Sequence, residues 1–116
     1  MGEIASIGGY VRDNIRYVRD INQCETVQSP EVTLQIGAGD CDDKATLLAA
    51  LLMAVGNDCR FVACDQGQGY SHVWTQCLLG DKWIDLETTE NVPVGQPSQW
   101  LKKGDRLLMW PIVSHE

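Results

Sequence analysis

Two residues far apart in the chain have the chemistry to act together on a carbonyl: Cys41 and His72. A thiol is a strong nucleophile as its thiolate, and a histidine in contact can take and return the proton. Cys41 stands in Gly39-Asp40-Cys41-Asp42-Asp43-Lys44-Ala45, which runs straight into Thr46-Leu47-Leu48-Ala49-Ala50-Leu51-Leu52-Met53-Ala54-Val55 and stops at Gly56. Ala45, Leu48, Leu51, Leu52 and Val55 recur at helical spacing, which predicts a buried amphipathic helix. Asp40 suits its N-cap, and Asp43 can reach back as a variant of the capping box. Gly56 supplies the left-handed residue that commonly closes such a helix. Cys41 therefore falls at or beside the first helical position, where unpaired N–H groups and the positive dipole end favour an anion. Taken alone, a free cysteine is more often a small buried hydrophobe. The carboxylates of Asp40, Asp42 and Asp43 would also oppose a thiolate if they pointed at the sulfur. The case for Cys41 requires a histidine.

His72, in Ser71-His72-Val73-Trp74, is one of two histidines, and the other, His115, lies in the terminal tail. Residues 70–79, Gly80-Asp81 and residues 82–87 read as a β-hairpin whose turn needs positive φ at its first residue. If Leu79 pairs with Lys82, then Trp74 opposes Glu87 and Gln76 opposes Asp85, all on the sheet face that carries His72. Glu87 becomes a diagonal neighbour of His72, ~7–8 Å away by backbone. Asp85 lies roughly 13 Å along the strand. Glu87 is thus the expected orienting acid and Asp85 the alternative. A strand histidine beside Trp74 is more often structural, and Trp74 itself can serve as core packing, as a shield for the Cys–His pair, or as both.

Other elements must hold these residues. Ile4, Ile7, Val11, Ile15, Val18 and Ile21 form an apolar stripe, predicting a first helix over about residues 4–20, with Arg12, Asp13, Arg16, Arg19 and Asp20 on its solvated face. Residues 22–33 read as a polar connection containing Ser29-Pro30, with Thr26-Val27-Gln28 as a short extended piece, and residues 32–39 as a Gly-rich bend. Residues 60–64 are β-rich and Gln66-Gly67-Gln68-Gly69 turns the chain. Pro93 to Pro97 breaks the pattern, Lys102-Lys103-Gly104-Asp105 turns it, and Leu107-Leu108-Met109-Trp110 suggests one more strand.

Composition narrows the classes. With 116 residues the chain is read as a single domain over 1–116, with residues 91–116 as a C-terminal extension. The formal charge of −7, with nine Lys and Arg, gives no basic patch, so nucleic-acid binding is not expected. No stretch approaches a membrane span. Cys24, Cys41, Cys59, Cys64 and Cys77 are odd in number and form no Cys-x-x-Cys, and the start of the chain has neither a basic segment nor an apolar run. Free thiols in a reducing, cytoplasmic setting are the expectation. The Cys59/Cys64 spacing suits zinc poorly, and Asp40, Asp42 and Asp43 lack the order of a calcium loop, so no metal or cofactor is expected.

In order, Gly39-Asp40-Cys41-Asp42-Asp43 with its Leu-rich helix, His72-Val73-Trp74, and Trp83-Ile84-Asp85-Leu86-Glu87-Thr88-Thr89 resemble the core of the transglutaminase-like superfamily over about residues 10–90. The resemblance implies a papain-like α+β arrangement: N-terminal helices, with the nucleophile helix packed on a small antiparallel sheet. It implies Cys41 as nucleophile and His72 as base. Where the family commonly has Asp-Pro-Thr, this chain has Glu87-Thr88-Thr89, so the third member departs from the pattern while agreeing with the hairpin register. Papain-type spacing makes Gln35 the side-chain candidate for an oxyanion donor, beside the Cys41 backbone N–H.

The implied activity is cysteine-dependent hydrolysis of peptide or isopeptide bonds in a protein or peptide substrate. Small bacterial and phage-type members resemble peptidases more than crosslinkers, and the chain has no room for the extra β-domains of the large animal enzymes. A phage, prophage or bacterial origin follows by analogy. Transfer of a glutamine carboxamide to an amine would use the same residues in a site that excludes water. A non-catalytic binding or assembly module on the same fold is the reading from another class, favoured by the Glu87 departure and the apolar tail.

Overall fold

The computed structural model describes residues 2–18, 28–65, 70–89, 93, 95–96 and 106–112. Helix α3 (Cys41–Ala54) is the element against which the others are arranged. Its entry carries the full reciprocal cap: the Asp40 carboxylate accepts from Asp43 N at 3.0 Å, and Asp43 Oδ2 accepts from Asp40 N at 3.1 Å. Gly39 is required here by space. A Cβ at this position would sit 2.6 Å from Asp43 Cβ, closer than real side chains approach. At the other end Val55 is the C-cap, and Gly56 follows with φ 91°.

Four strands form an antiparallel sheet in the order β5-β4-β3-β6: β3 (Cys59–Asp65), β4 (Tyr70–Leu79), β5 (Lys82–Leu86) and β6 (Arg106–Pro111). The hairpin closes through Gly80 at φ 66°, and Leu79 opposes Lys82 while Gln76 opposes Asp85, the register that alternation predicts. One sheet face packs on α3, where Thr75 Oγ1 donates to the Ala45 carbonyl at 2.9 Å. Leu47, Leu48 and Leu52 fill the core there with Cys59, Cys77 and Leu86. Val62, Cys64 and Trp74 make a smaller cluster with Leu107. Cys59 and Cys77 thus lie in one cluster and Cys64 in the other, because neighbours of opposite parity on a strand point to opposite faces. Among the described residues Cys41, Cys59, Cys64 and Cys77 are free thiols.

Helix α1 (Gly2–Asn14) buries Ile4, Val11 and Ile15 or packs them at its end, as the stripe predicts, but it stops well short of residue 20. Arg16 and Tyr17 instead form β1, paired in parallel with β2 (Ala38–Gly39). Arg16 N and Val18 N donate to the carbonyls of Gly37 and Gly39 at 2.8 and 2.9 Å. This long-range pairing leaves no mark in local periodicity, and Val18, on the predicted stripe, is exposed. The connection also contains an unpredicted helix, α2 (Pro30–Ile36), capped by Ser29 and Gly37. Its start and stop residues obey the usual rules. Its apolar residues do not betray it, since Val32, Leu34 and Ile36 are exposed and only Thr33 is buried. Of the sequence expectations, the extended piece at 26–27, the turn at 66–69, the turn at 102–105 and the residues Cys24 and His115 lie outside the described residues. No helix among the described residues is long and apolar enough to cross a membrane.

Candidate active site

Cys41 is the first residue of α3 and is partly exposed. The capping box accounts for two of the three acids around it, Asp40 and Asp43. Asp43 is buried, with Oδ1 accepting from Gln28 N at 2.8 Å and Oδ2 from Gln28 Nε2 at 2.9 Å, besides its bond to Asp40. Burial raises the Asp40 carboxyl above its ordinary value, against the backbone hydrogen bond from Asp43, and the charges of Asp43 and Asp42 add to the rise.

His72 is 5% exposed and sits on β4 opposite Cys64. Its Nε2 lies 2.6 Å from Glu87 Oε2. Glu87, one residue past β5, is buried as well, and its other oxygen accepts from Thr89 N at 3.0 Å and Thr89 Oγ1 at 2.8 Å. Trp74 stacks on the imidazole with ring centroids 5.7 Å apart and an interplanar angle of 26°. Burial opposes a charged imidazole, but hydrogen bonds to Cys41 and Glu87 and the charges of both outweigh it and push His72 up to about 9. Burial likewise opposes the Glu87 carboxylate, yet the bond to His72, its charge and the two Thr89 donors hold the group below its ordinary range. With Nε2 turned to Glu87, Nδ1 is the nitrogen left for the thiol.

The structure therefore brings Cys41, His72 and Glu87 together. It does not place Asp85, the alternative acid, on the histidine. Asp85 Oδ1 accepts from Trp74 Nε1 at 2.9 Å and Gln76 Nε2 at 2.7 Å. The same network continues through Gln76 Oε1 to Arg60 Nε at 2.7 Å, with the guanidinium 4.1 Å from the Trp83 ring centroid. The pairing Gln76–Asp85 fixes this, because Asp85 is two residues too early to reach His72. Gln35 is exposed near the end of α2. The glutamine fastened to the α3 N-terminus is Gln28, which sequence reasoning passed over. Its Oε1 is buried without a partner. The signal for it was indirect: Gln28 immediately precedes the Ser29-Pro30 helix start, which aims its backbone at Asp43.

This arrangement of helix-start thiol, strand histidine and following carboxylate on an α+β scaffold is that of a transglutaminase-like core, and comparison with known proteins agrees. The family model described as the transglutaminase-like superfamily matches residues 2–88, and the chain belongs to that superfamily. Among solved structures, one of a candidate cysteine protease from Cytophaga hutchinsonii is similar at TM-score 0.64 and 18% identity, with 97% of this chain and 43% of that one covered. Another, of a candidate protease from Parabacteroides distasonis ATCC 8503, is similar at TM-score 0.66 and 16% identity, with 79% of this chain and 20% of that one covered. The chain thus spans less than half the length of either, and at these identities the likeness is one of fold. No curated protein matches significantly.

Proposed function

We propose that the protein is a cysteine-dependent hydrolase of peptide or isopeptide bonds, working through Cys41, His72 and Glu87. The observation that carries this reading is the single line of contacts from Cys41 through His72 to Glu87, buried at its acid end and partly open at the thiol. Imidazolium character in His72 near neutral pH favours a thiolate at Cys41. The thiolate attacks the carbonyl carbon, and the resulting oxyanion is met by the Cys41 backbone N–H, one of the donors a helix start leaves unpaired. His72 passes its proton to the leaving amine as the tetrahedral species collapses to a thioester. It then takes a proton from water, whose oxygen attacks the thioester and releases the acid and the thiol. Glu87 keeps Nε2 protonated and steadies the imidazolium. Partial exposure of Cys41 favours water over an amine as the second nucleophile, so hydrolysis is preferred to transfer.

The test is alkylation by iodoacetamide across a pH series, read by peptide mass spectrometry. Cys41 is expected to react much faster than Cys24, Cys59, Cys64 or Cys77 near neutral pH, and His72→Ala should slow Cys41 to the rate of an ordinary accessible thiol. A Cys41 rate that is slow at neutral pH and unchanged in His72→Ala would replace the hydrolase reading with the binding module.

A further inference from the structure

A pocket of about 360 Å³ opens beside the end of α1, walled by Arg12, Asp13, Arg16, Lys44, Thr88 and Thr89 among others. Its size is at the lower end of that of small-molecule sites. Its charge is unusual for this acidic chain. Arg12 and Asp13 pair with each other at 2.8 and 3.0 Å, so the wall sets three cations, Arg12, Arg16 and Lys44, against the one carboxylate of Asp13.

Lys44 is the telling residue. It is 1% exposed, although a lysine is almost never buried without a charged partner in contact. Its ammonium donates one hydrogen bond, to the Ile15 carbonyl at 2.6 Å. An ammonium has three donors, so two are left for an occupant of the pocket. Burial lowers Lys44 to about 8, against the charges of Glu87 and Asp13. Both acids act on the ammonium by charge, but neither hydrogen-bonds it: Glu87 is engaged by His72 and Thr89, and Asp13 by Arg12. A bound anion would supply the missing contact, with the Thr88 and Thr89 segment beside it.

We infer that this pocket binds a small molecule through an oxyanion group, a phosphate or a carboxylate, held by Lys44 and Arg16. Thr88 and Thr89 continue directly from Glu87, so the occupant would lie beside the segment that holds the acid's Oε1. Binding there does not depend on Cys41 acting as a nucleophile.

Titration of the intact protein with inorganic phosphate, and separately with acetate, at constant ionic strength tests this through the ¹H–¹⁵N spectrum. Saturable shifts at Arg16, Lys44, Thr88 and Thr89 are expected with at least one anion, and the one that binds identifies a phosphoryl or a carboxylate group. Lys44→Met should weaken binding by roughly tenfold or more, as expected for loss of a charge-assisted hydrogen bond. Arg16→Gln, at an exposed position, should weaken it several-fold and decides the matter if Lys44→Met does not fold. Shifts that chloride reproduces, or saturable binding unchanged in the folded variants, would overturn the inference.

Discussion

Thr89 grips Glu87 twice, donating its backbone N–H at 3.0 Å and its hydroxyl at 2.8 Å to one carboxylate oxygen. The other oxygen, Oε2, is thereby presented to His72. A glutamate has one more rotatable bond than the aspartate common in this family, and the two Thr89 bonds remove the freedom that bond would add. The departure from Asp-Pro-Thr is thus compensated by the third residue of the same segment.

Glu87→Gln should therefore lower the His72 pKa and cut Cys41 alkylation and any turnover by roughly tenfold to a thousandfold, since an amide holds the wrong tautomer as readily as the right one. Thr89→Val keeps the backbone bond and loses the hydroxyl, so its effect should have the same sign and be smaller. Imidazole titration by NMR measures both. An unchanged His72 in Glu87→Gln would remove Glu87 from the site.

The raised His72 pKa predicts how stability depends on pH. The folded protein holds the proton up to about 9, while the unfolded chain releases it near 6.5. The contribution is fully present below 6.5 and is lost as pH rises through 9. Lys44 acts in the opposite sense: its folded value near 8 lies below 10.5, so its burial cost is relieved as pH rises from 8 to 10.5. The clean window is 6.5 to 8. The thiolate that the proposed pair places at Cys41 would offset the proton held by His72, so the test is made without the thiol: denaturant midpoints should fall across this window in Cys41→Ser and stay flat when His72→Ala is added to it.

These two groups also show what could and could not be read from the sequence. Hairpin register follows from counting outward from Gly80-Asp81, so the choice of Glu87 over Asp85 was available before any coordinates. The capping box at Asp40 and Asp43 was legible because its residues lie within one helical turn. Helix α2 was hidden because it buries little, and periodicity reports only on burial. The early end of α1 was hidden because β1 pairs with β2 across more than twenty residues of chain. Gln28 and Lys44 were missed for the same reason, as their partners Asp43 and Ile15 are far away in sequence.

The cap at the nucleophile helix can be tested by separating its two carboxylates. Asp40→Ala loses one hydrogen bond to a first-turn N–H and should cost about 1 kcal/mol. Asp43→Ala should cost clearly more, because Asp43 also carries both Gln28 bonds and its loss leaves buried donors without acceptors. Gly39→Ala should be as damaging as Asp43→Ala, since its new methyl collides with the Asp43 side chain. Urea unfolding gives the three values. A harmless Gly39→Ala would mean that the loop before Cys41 is looser than the packing indicates.

Asp85 supplies the control that separates orienting acid from sheet scaffold. It lies two residues from Glu87 and is also a hydrogen-bonded carboxylate, but its partners are Trp74 and Gln76. Asp85→Asn keeps an oxygen for one donor and brings an NH₂ group against the other, so it should destabilise the fold by about 1 kcal/mol. It should leave the His72 titration in place, because no contact between Asp85 and the imidazole is broken. Trp74 is the route by which an effect could still arrive, since its ring stacks on His72 while its Nε1 is anchored on Asp85. Trp74→Phe in the Asp85→Asn background distinguishes the two cases. If the anchor matters to the imidazole, Asp85→Asn alone slows Cys41 alkylation, and adding Trp74→Phe slows it little further. If the ring serves only as packing, Asp85→Asn leaves alkylation at the wild-type rate, and Trp74→Phe lowers stability without changing the pH at which His72 titrates.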